Sequence, residues 1–280
     1  MRLRRPAVAG TFYPSGSSEL KINIEESFLH GIGPGRKPPS SEVINEKVAL
    51  ISPHAGYMYS GPVAAHGYYA CSYLKCIELA VIVGPNHHGI GSGVSTFREG
   101  AWQTPLGGVE VDSDSAKRLV ELSGIVDFDE SAHAYEHSIE VQIPFLQYIY
   151  GDKFKILPIS MMLQDLSTAV EVGRAVANCV RDKKCLLIAS SDFTHYEEQE
   201  VASRKDHEAI KAILQMDVSG LYDAIGRLDL TMCGYGPVAT VITAAKETSI
   251  AKGRLLKYAT SGDITGDYSS VVGYASILFQ

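Results

Sequence analysis

No two of the five cysteines, Cys71, Cys76, Cys179, Cys185 and Cys233, stand in a CxxC pair, and their number is odd. That argues against a disulfide framework and a paired-cysteine zinc ribbon, and makes a reduced cytoplasm the expected compartment. No run approaches the roughly 20 apolar residues that a membrane span needs, because Gly, Pro or a charge interrupts each one. The opening MRLRRPAVAGTFYPSGSSEL has no apolar stretch of signal-peptide length. Beyond MRLRR there is no basic run, and 32 acidic residues against 25 basic ones leave a formal charge of −7. Neither a membrane nor a nucleic acid is therefore an expected partner. Internal repeats are lacking too, and only residues 31–42, rich in Gly, Pro and Ser, are biased enough to predict disorder.

What is present is a chain of 280 residues, 45% hydrophobic, long enough to bury a large core. The expected fold class is α/β, one domain over residues 1–280 with a central mixed, mostly parallel sheet flanked by helices. SSELKINIEESFLHGI predicts a helix with a serine cap, KVALISP a buried strand, GPVAAHGYYACSYL a helix opened by Pro62, and LAVIVGP a second buried strand. GVSTFREGAWQTPLGGVEVD predicts an antiparallel excursion and DSDSAKRLVELSG a helix with an acidic first turn. SIEVQIPFLQYIYG, DLSTAVEVGRAVANCVRDK, the two stretches after residue 196 and GPVATVITAAKE predict helices. FKILPIS, CLLIAS and the two ends of the tail predict strands.

Three of the buried strands run into turns that carry histidine: His54 follows VALIS, His87 and His88 follow LAVIVGP, and Asp192 and His195 follow CLLIAS. In an open α/β sheet the crevice lies beyond the carboxyl ends of the strands, so residues far apart in sequence meet there. DESAHAYEHSIEVQIPF adds His133, Glu136, His137 and Glu140, and MCGYGP adds Cys233 in a turn at a helix start, where backbone amides and the helix dipole favour thiolate. Imidazole, thiolate and carboxylate are the usual donors to zinc, iron or copper. Of the adjacent pair, His87 is the expected ligand, with His88 supporting it or covering the rim. Asp192 is expected to cap a following helix and to orient His195 as a general acid or base. The other four cysteines read as structural, Cys71, Cys76 and Cys179 in helical patterns and Cys185 at a strand start. His133-Ala-Tyr-Glu136-His137 also matches the inverted zinc-protease pattern H-x-x-E-H, but its turn formers place it before a helix rather than in one. Otherwise Glu136, His137 and Glu140 line the cleft as partners of the metal histidines or of substrate.

In order along the chain, AGTFYP, PHAGYMYSGPVAAHGY, GPNHH, EHSIEVQIPF, SSDFTHY, CGYGP and GDYSSVVGYAS resemble the motifs of the Memo family (mediator of ErbB-driven cell motility). The resemblance covers nearly the whole chain and looks like a prokaryotic member. It implies the fold of the class III, protocatechuate-type extradiol dioxygenases, which hold Fe(II) through two histidines and a carboxylate. By motif, His54 and His87 correspond to the metal histidines and His195 to the acid/base histidine. Cys233 stands where the dioxygenases have glutamate, a softer and oxidisable donor that puts ring cleavage in doubt. His88, His137, Glu140 and Tyr57 are expected around the cleft, and the resemblance also implies phosphorylated peptides as ligands of some members and radical-SAM and AMMECR-type proteins as pathway partners.

Three functions follow. The first is a metal-dependent oxidoreductase in which His54, His87 and Cys233 hold iron or copper, with zinc as the other candidate, and His195 with Asp192 moves the proton. It would act on a small molecule or peptide. The second is a non-catalytic module that recognises a peptide or protein in the same histidine-lined cleft. The third is the zinc protease through His133, Glu136 and His137.

Overall fold

A computed structural model describes residues 2–39, 48–74 and 76–280. The chain opens with β1 (Leu3–Arg4), α1 (Ser17–Leu29), β2 (Val48–Ser52), α2 (Tyr57–Cys71) and β3 (Leu79–Pro85). Three short strands follow, β4 (Val94–Thr96), β5 (Ala101–Thr104) and β6 (Gly107–Glu110), then α3 (Ser113–Leu122) and β7 (Val126–Phe128). Two 3₁₀ turns, Glu130–His133 and Glu140–Gln142, lead into α4 (Ile143–Tyr150), β8 (Lys155–Met161), α5 (Leu166–Val180) and β9 (Cys185–Ser190). The rest is β10 (His195–Glu197), α6 (Gln199–Leu214), α7 (Val218–Leu228), α8 (Tyr235–Glu247), β11 (Gly253–Thr260), α9 (Gly262–Thr265) and β12 (Val271–Phe279).

The continuous apolar runs form strands because both faces of the sheet are covered, which removes the usual alternation with polar residues. In β3, Leu79, Val81 and Val83 enter one hydrophobic cluster while Ala80 and Ile82 enter the other. Residues of β9 divide the same way, Leu187 and Ala189 against Leu186 and Ile188. α5 and α8 supply one cluster, and α1, α2 and α4 the other.

The sheet order is β10-β12-β2-β9-β3-β8-β4-β7, with β11 on β12. The four central strands, β2, β9, β3 and β8, are mutually parallel, while β12 on one side and β4 on the other run antiparallel to them. This is the mixed sheet flanked by helices that the sequence predicts. A small sheet, β1-β5-β6, contains the predicted antiparallel hairpin. The placement of β9 between β2 and β3 decides the site, because the turns carrying His54, Asp192 and His87 then leave three neighbouring strands at one end.

Several local expectations are corrected. Pro62 does not open α2 but lies inside it, more than a turn past the start at Tyr57, and forgoes one intrahelical bond, the one to the Met58 carbonyl. Gly16, not a serine, occupies the N-cap of α1. Cys76 lies beyond α2 and is exposed, whereas Cys71, Cys179 and Cys185 are buried. Residues 31–39 of the Gly/Pro/Ser-rich segment lie beyond α1 without helix or strand, and the remainder, 40–42, falls outside the described residues. No described helix is long and apolar enough to cross a membrane.

Candidate metal centre

His54 leaves the end of β2 and is buried. Its tautomer follows from its neighbours. The Ser190 hydroxyl has one proton, and its contact to the Ser138 carbonyl, at 2.6 Å, uses it. Toward Gln142 Nε2, at 2.8 Å, Ser190 Oγ is therefore an acceptor, and likewise toward His54 Nδ1 at 2.9 Å. The Gln142 amide is itself oriented, donating to the Pro53 carbonyl and accepting from the Tyr68 hydroxyl. His54 Nδ1 thus carries the proton and Nε2 presents a lone pair. That lone pair faces Cys233 Sγ at 3.3 Å.

Cys233 reaches this position because Gly234 lets the start of α8 close on the end of β9. A Cβ at 234 would stand 2.5 Å from the Ser190 carbonyl oxygen and 2.6 Å from Ser191 Cβ. Gly234→Ala is expected to cost on the order of 1–3 kcal/mol and to displace the thiol, read as a lower melting temperature together with faster alkylation of Cys233. Sγ accepts from the Asp192 amide at 3.3 Å. Burial, reinforced by the nearby Asp192 carboxylate, pushes the thiol far above its ordinary pKa. The expectation of a thiolate set by a helix start is thus corrected for the metal-free protein, since desolvation outweighs the local amides.

His87, at the end of β3, donates its amide to Glu136 Oε2 at 2.6 Å, and its Nδ1 stands 3.0 Å from Oε1 of the same carboxylate. A carboxylate there fixes the proton on Nδ1 and leaves Nε2 open. Glu136 also accepts the amides of His137 and Ser138, and His137 Nδ1 lies 3.4 Å from it. Burial alone would raise this carboxyl, but the His87 hydrogen bond and the two imidazoles outweigh burial and hold it far below the usual range. The His87 and His137 rings stack at 4.7 Å, and His54 meets each edge-on, at 5.2 and 5.4 Å. Phe12, from the N-terminal segment, covers His137 at 4.7 Å. Burial lowers His137 to about 4 and His54 well below its ordinary value, so both rings are neutral near pH 7.

One nitrogen each from His54 and His87 and the Cys233 sulfur lie within 4.8 Å of one another, and a second set within the same limit comprises His87, Glu136 and His137. Two imidazoles with pre-set tautomers and one thiol are chemically suited to copper, iron or zinc.

The other sequence-predicted residues are placed differently. Asp192 is buried, and its Oδ1 accepts from the His54 amide at 2.8 Å; burial raises its carboxyl to about 6. It caps no helix, because the chain continues into β10 and α6 begins only at Gln199. His195 is half-buried, and Thr231 orients it instead of Asp192, taking its amide on Oγ1 at 2.7 Å and contacting Nδ1 through its carbonyl at 2.9 Å. His88 is exposed, with its amide on Asn86, and belongs to neither set. Tyr57 is buried and donates to the Val141 carbonyl at 2.6 Å. Glu140 is buried against Arg4 and accepts the amides of Ala7 and Val8, so it anchors the N-terminal segment rather than lining the cleft. Tyr57 and Glu140 both serve packing.

The protease pattern is not realised. His133 ends a 3₁₀ turn among Phe97 and Trp102, and it joins neither set among the described residues. With no helix through 133–137 the two histidines do not share a face. The sequence reading missed Ser190, Gln142 and Thr231. Ser190 and Gln142 were detectable only as polar residues inside apolar runs. A cavity of about 880 Å³ lined by Leu122, Leu166, Val170 and Arg174 among others contains none of these metal-capable side chains.

Comparison with known proteins agrees with the motif resemblance. The profile described as Memo-like protein matches residues 4–278. A MEMO1 family protein of Methanopyrus kandleri is 49% identical over 279 residues, 99% of each chain. Another from Methanocaldococcus jannaschii is 50% identical over 287 residues, covering 100% of this chain and 99% of that one. Among solved structures, an uncharacterized protein from Escherichia coli K12 has a TM-score of 0.56 at 17% identity, covering 84% of this chain and all of that one, which is a likeness of fold.

Proposed function

Because the chain belongs to the Memo-like family, we propose that His54, His87 and Cys233 hold iron or copper and that the site is a metal-dependent oxidoreductase. The observation that carries this reading is the convergence of three donor atoms within 4.8 Å, with His54 and His87 each fixed so that Nε2 is the free nitrogen. The metal would supply one-electron chemistry and an open position for substrate, and the thiolate favours a softer ion than a carboxylate would. Zinc suits the same donors but supplies no redox change.

The protein's own groups do the rest. Ser190 and Glu136 hold the two imidazoles in the binding tautomer. His195 keeps its Nδ1 proton on the Thr231 carbonyl, which leaves Nε2 to take or give a proton. Asp192, whose carboxyl burial raises to about 6, changes charge close to neutrality. Recognition of an acidic peptide is less well supported, because burial keeps His54 and His137 uncharged where such a ligand needs a cation.

The test is anaerobic titration with Cu(I) and with Fe(II). One equivalent is expected to bind, and His54→Ala and Cys233→Ser each to weaken it about a hundredfold, since a structural metal site is worth roughly 10–16 kcal/mol over four ligands. Co(II) is expected to give thiolate charge-transfer absorption that Cys233→Ser abolishes. Absence of binding by the wild type under reducing conditions, or wild-type affinity in both variants, overturns the assignment.

A further inference from the structure

The segments at the carboxyl end of the central strands and beside them, 53–58, 86–93, 134–139, 162–165, 191–198, 229–234 and 261–270, contain no lysine or arginine. Exposed carboxylates stand on them instead: Glu198, Asp229, Asp263 and Asp267. The N-terminal segment, which reaches the site through Phe12, adds two exposed cations, Arg5 and Arg2, the latter paired with Glu130. The same face carries the three most exposed large apolar side chains among the described residues, Tyr196 at 78%, Tyr135 at 66% and Met58 at 65%.

Tyr196 is the most informative of them. It is the bulged residue between His195 and Glu197 of β10, and its φ is 62°, a left-handed conformation that L-residues adopt at a cost. Packing does not account for the strained tyrosine, because most of the residue is in solvent. Its neighbour His195 lies 5.7 Å away, ring to ring.

We propose that this face docks a polypeptide segment bearing lysine or arginine side chains beside apolar ones, with Tyr196 as an anchoring contact. Carboxylates and tyrosine faces both attract such cations, while the apolar rim takes the intervening side chains. A small ligand confined to the His/Cys set leaves this rim unexplained. A nucleic acid or phosphorylated peptide meets like charge, and so does a second copy of a chain with net charge −7. The surface goes beyond the metal reading and is tested without it.

The probes are two fluorescein-labelled 12-residue peptides, one alternating Lys or Arg with Leu and Phe, the other with every cation replaced by Glu, titrated by anisotropy against metal-free protein. The basic peptide is expected to bind, about tenfold more weakly at high than at low salt, and the acidic one not to bind. Tyr196→Gly is expected to weaken binding about tenfold while raising the melting temperature by roughly 2–4 °C, since glycine relieves the backbone. A purely structural tyrosine would not produce that opposition. Glu198→Gln/Asp267→Asn is expected to weaken binding and Glu110→Gln/Glu121→Gln, on other surfaces, to leave it unchanged, which separates docking from general attraction to an acidic protein. Equal binding of both peptides, no binding of the basic one, undiminished binding by Tyr196→Gly, or equal loss in the two carboxylate pairs overturns the proposal. None of these results bears on metal affinity.

Discussion

Metal-free protein is expected to lose stability steeply as pH falls from 6.5 toward 4, with acid unfolding centred between about pH 4 and 5. His54, His133 and His137 are neutral in the fold because burial disfavours their charged forms, His133 falling to about 3 with Arg4 adding to the effect and His137 to about 4. In the unfolded chain they titrate near 6.5. Their folded pKa values are depressed, so the stability is complete above about 6.5 and drains as pH falls, since the unfolded state binds protons that the native state refuses. Three such groups give a slope of about 4 kcal/mol per pH unit.

Asp192 works against them. Its carboxyl is raised to about 6, so the native state takes that proton first and gains stability as pH falls from about 6 to 4. The balance is about two protons, or roughly 3 kcal/mol per pH unit, against a total stability of about 5–15 kcal/mol. Below about 4.5 the depressed Glu136 carboxyl adds to the loss. Chemical denaturation at pH 7, 6 and 5, followed by circular dichroism, measures the slope. A flat profile over that range is incompatible with buried neutral imidazoles, and His133→Gln is expected to remove about one proton from the slope whatever it does to stability at pH 7.

The histidines that matter here were visible in the sequence for a simple reason: His54 and His87 each follow a continuous apolar run, and such a run in an α/β chain ends at the crevice. The insertion of β9 between β2 and β3 was not visible, because strand order is set by which helix covers which face and not by any local pattern. Local rules also failed where a distant partner intervened. Asp192 follows a strand and precedes a helix, so capping was the natural expectation, but pairing of His195 with Val272 in β12 draws the next residues into a strand. Cys233 sits where amides favour thiolate, yet enclosure under His54 and Asp192 reverses the preference. Thr231, Ser190 and Gln142 are ordinary polar residues in sequence, and their roles exist only once Tyr68, Ser138 and His195 arrive from elsewhere.

Glu140 is the clearest of these cases, and Glu140→Ala is expected to cost about 3–5 kcal/mol, a fall in melting temperature of roughly 10 °C. Beside His137 in sequence it looked like a cleft residue, but its partner is Arg4, at the far end of the chain and almost wholly buried with it. The Arg4 guanidinium also donates to the His133 carbonyl at 3.0 Å and the Glu136 carbonyl at 2.6 Å, and lies 4.4 Å from the centre of the Trp102 ring. Removing the carboxylate leaves a buried cation without counter-charge and strips partners from the amides of Ala7 and Val8 and the hydroxyl of Tyr13. Truncating Arg4 to Met strands the carboxylate instead, and a similar loss is expected. The double variant Arg4→Met/Glu140→Leu is expected to recover only the part due to the stranded charge, because the amides of Ala7 and Val8, the Tyr13 hydroxyl and the carbonyls of His133 and Glu136 stay without these partners. Additive losses in the double variant would mean that the two side chains act separately. Metal affinity should follow the same pattern: the network pins residues 133–140, which carry Glu136 and through it the orientation of His87. Glu140→Ala is therefore expected to weaken metal binding about tenfold, as loss of an outer partner does, while Tyr148→Phe, at an unrelated hydrogen bond to Glu25, leaves affinity unchanged.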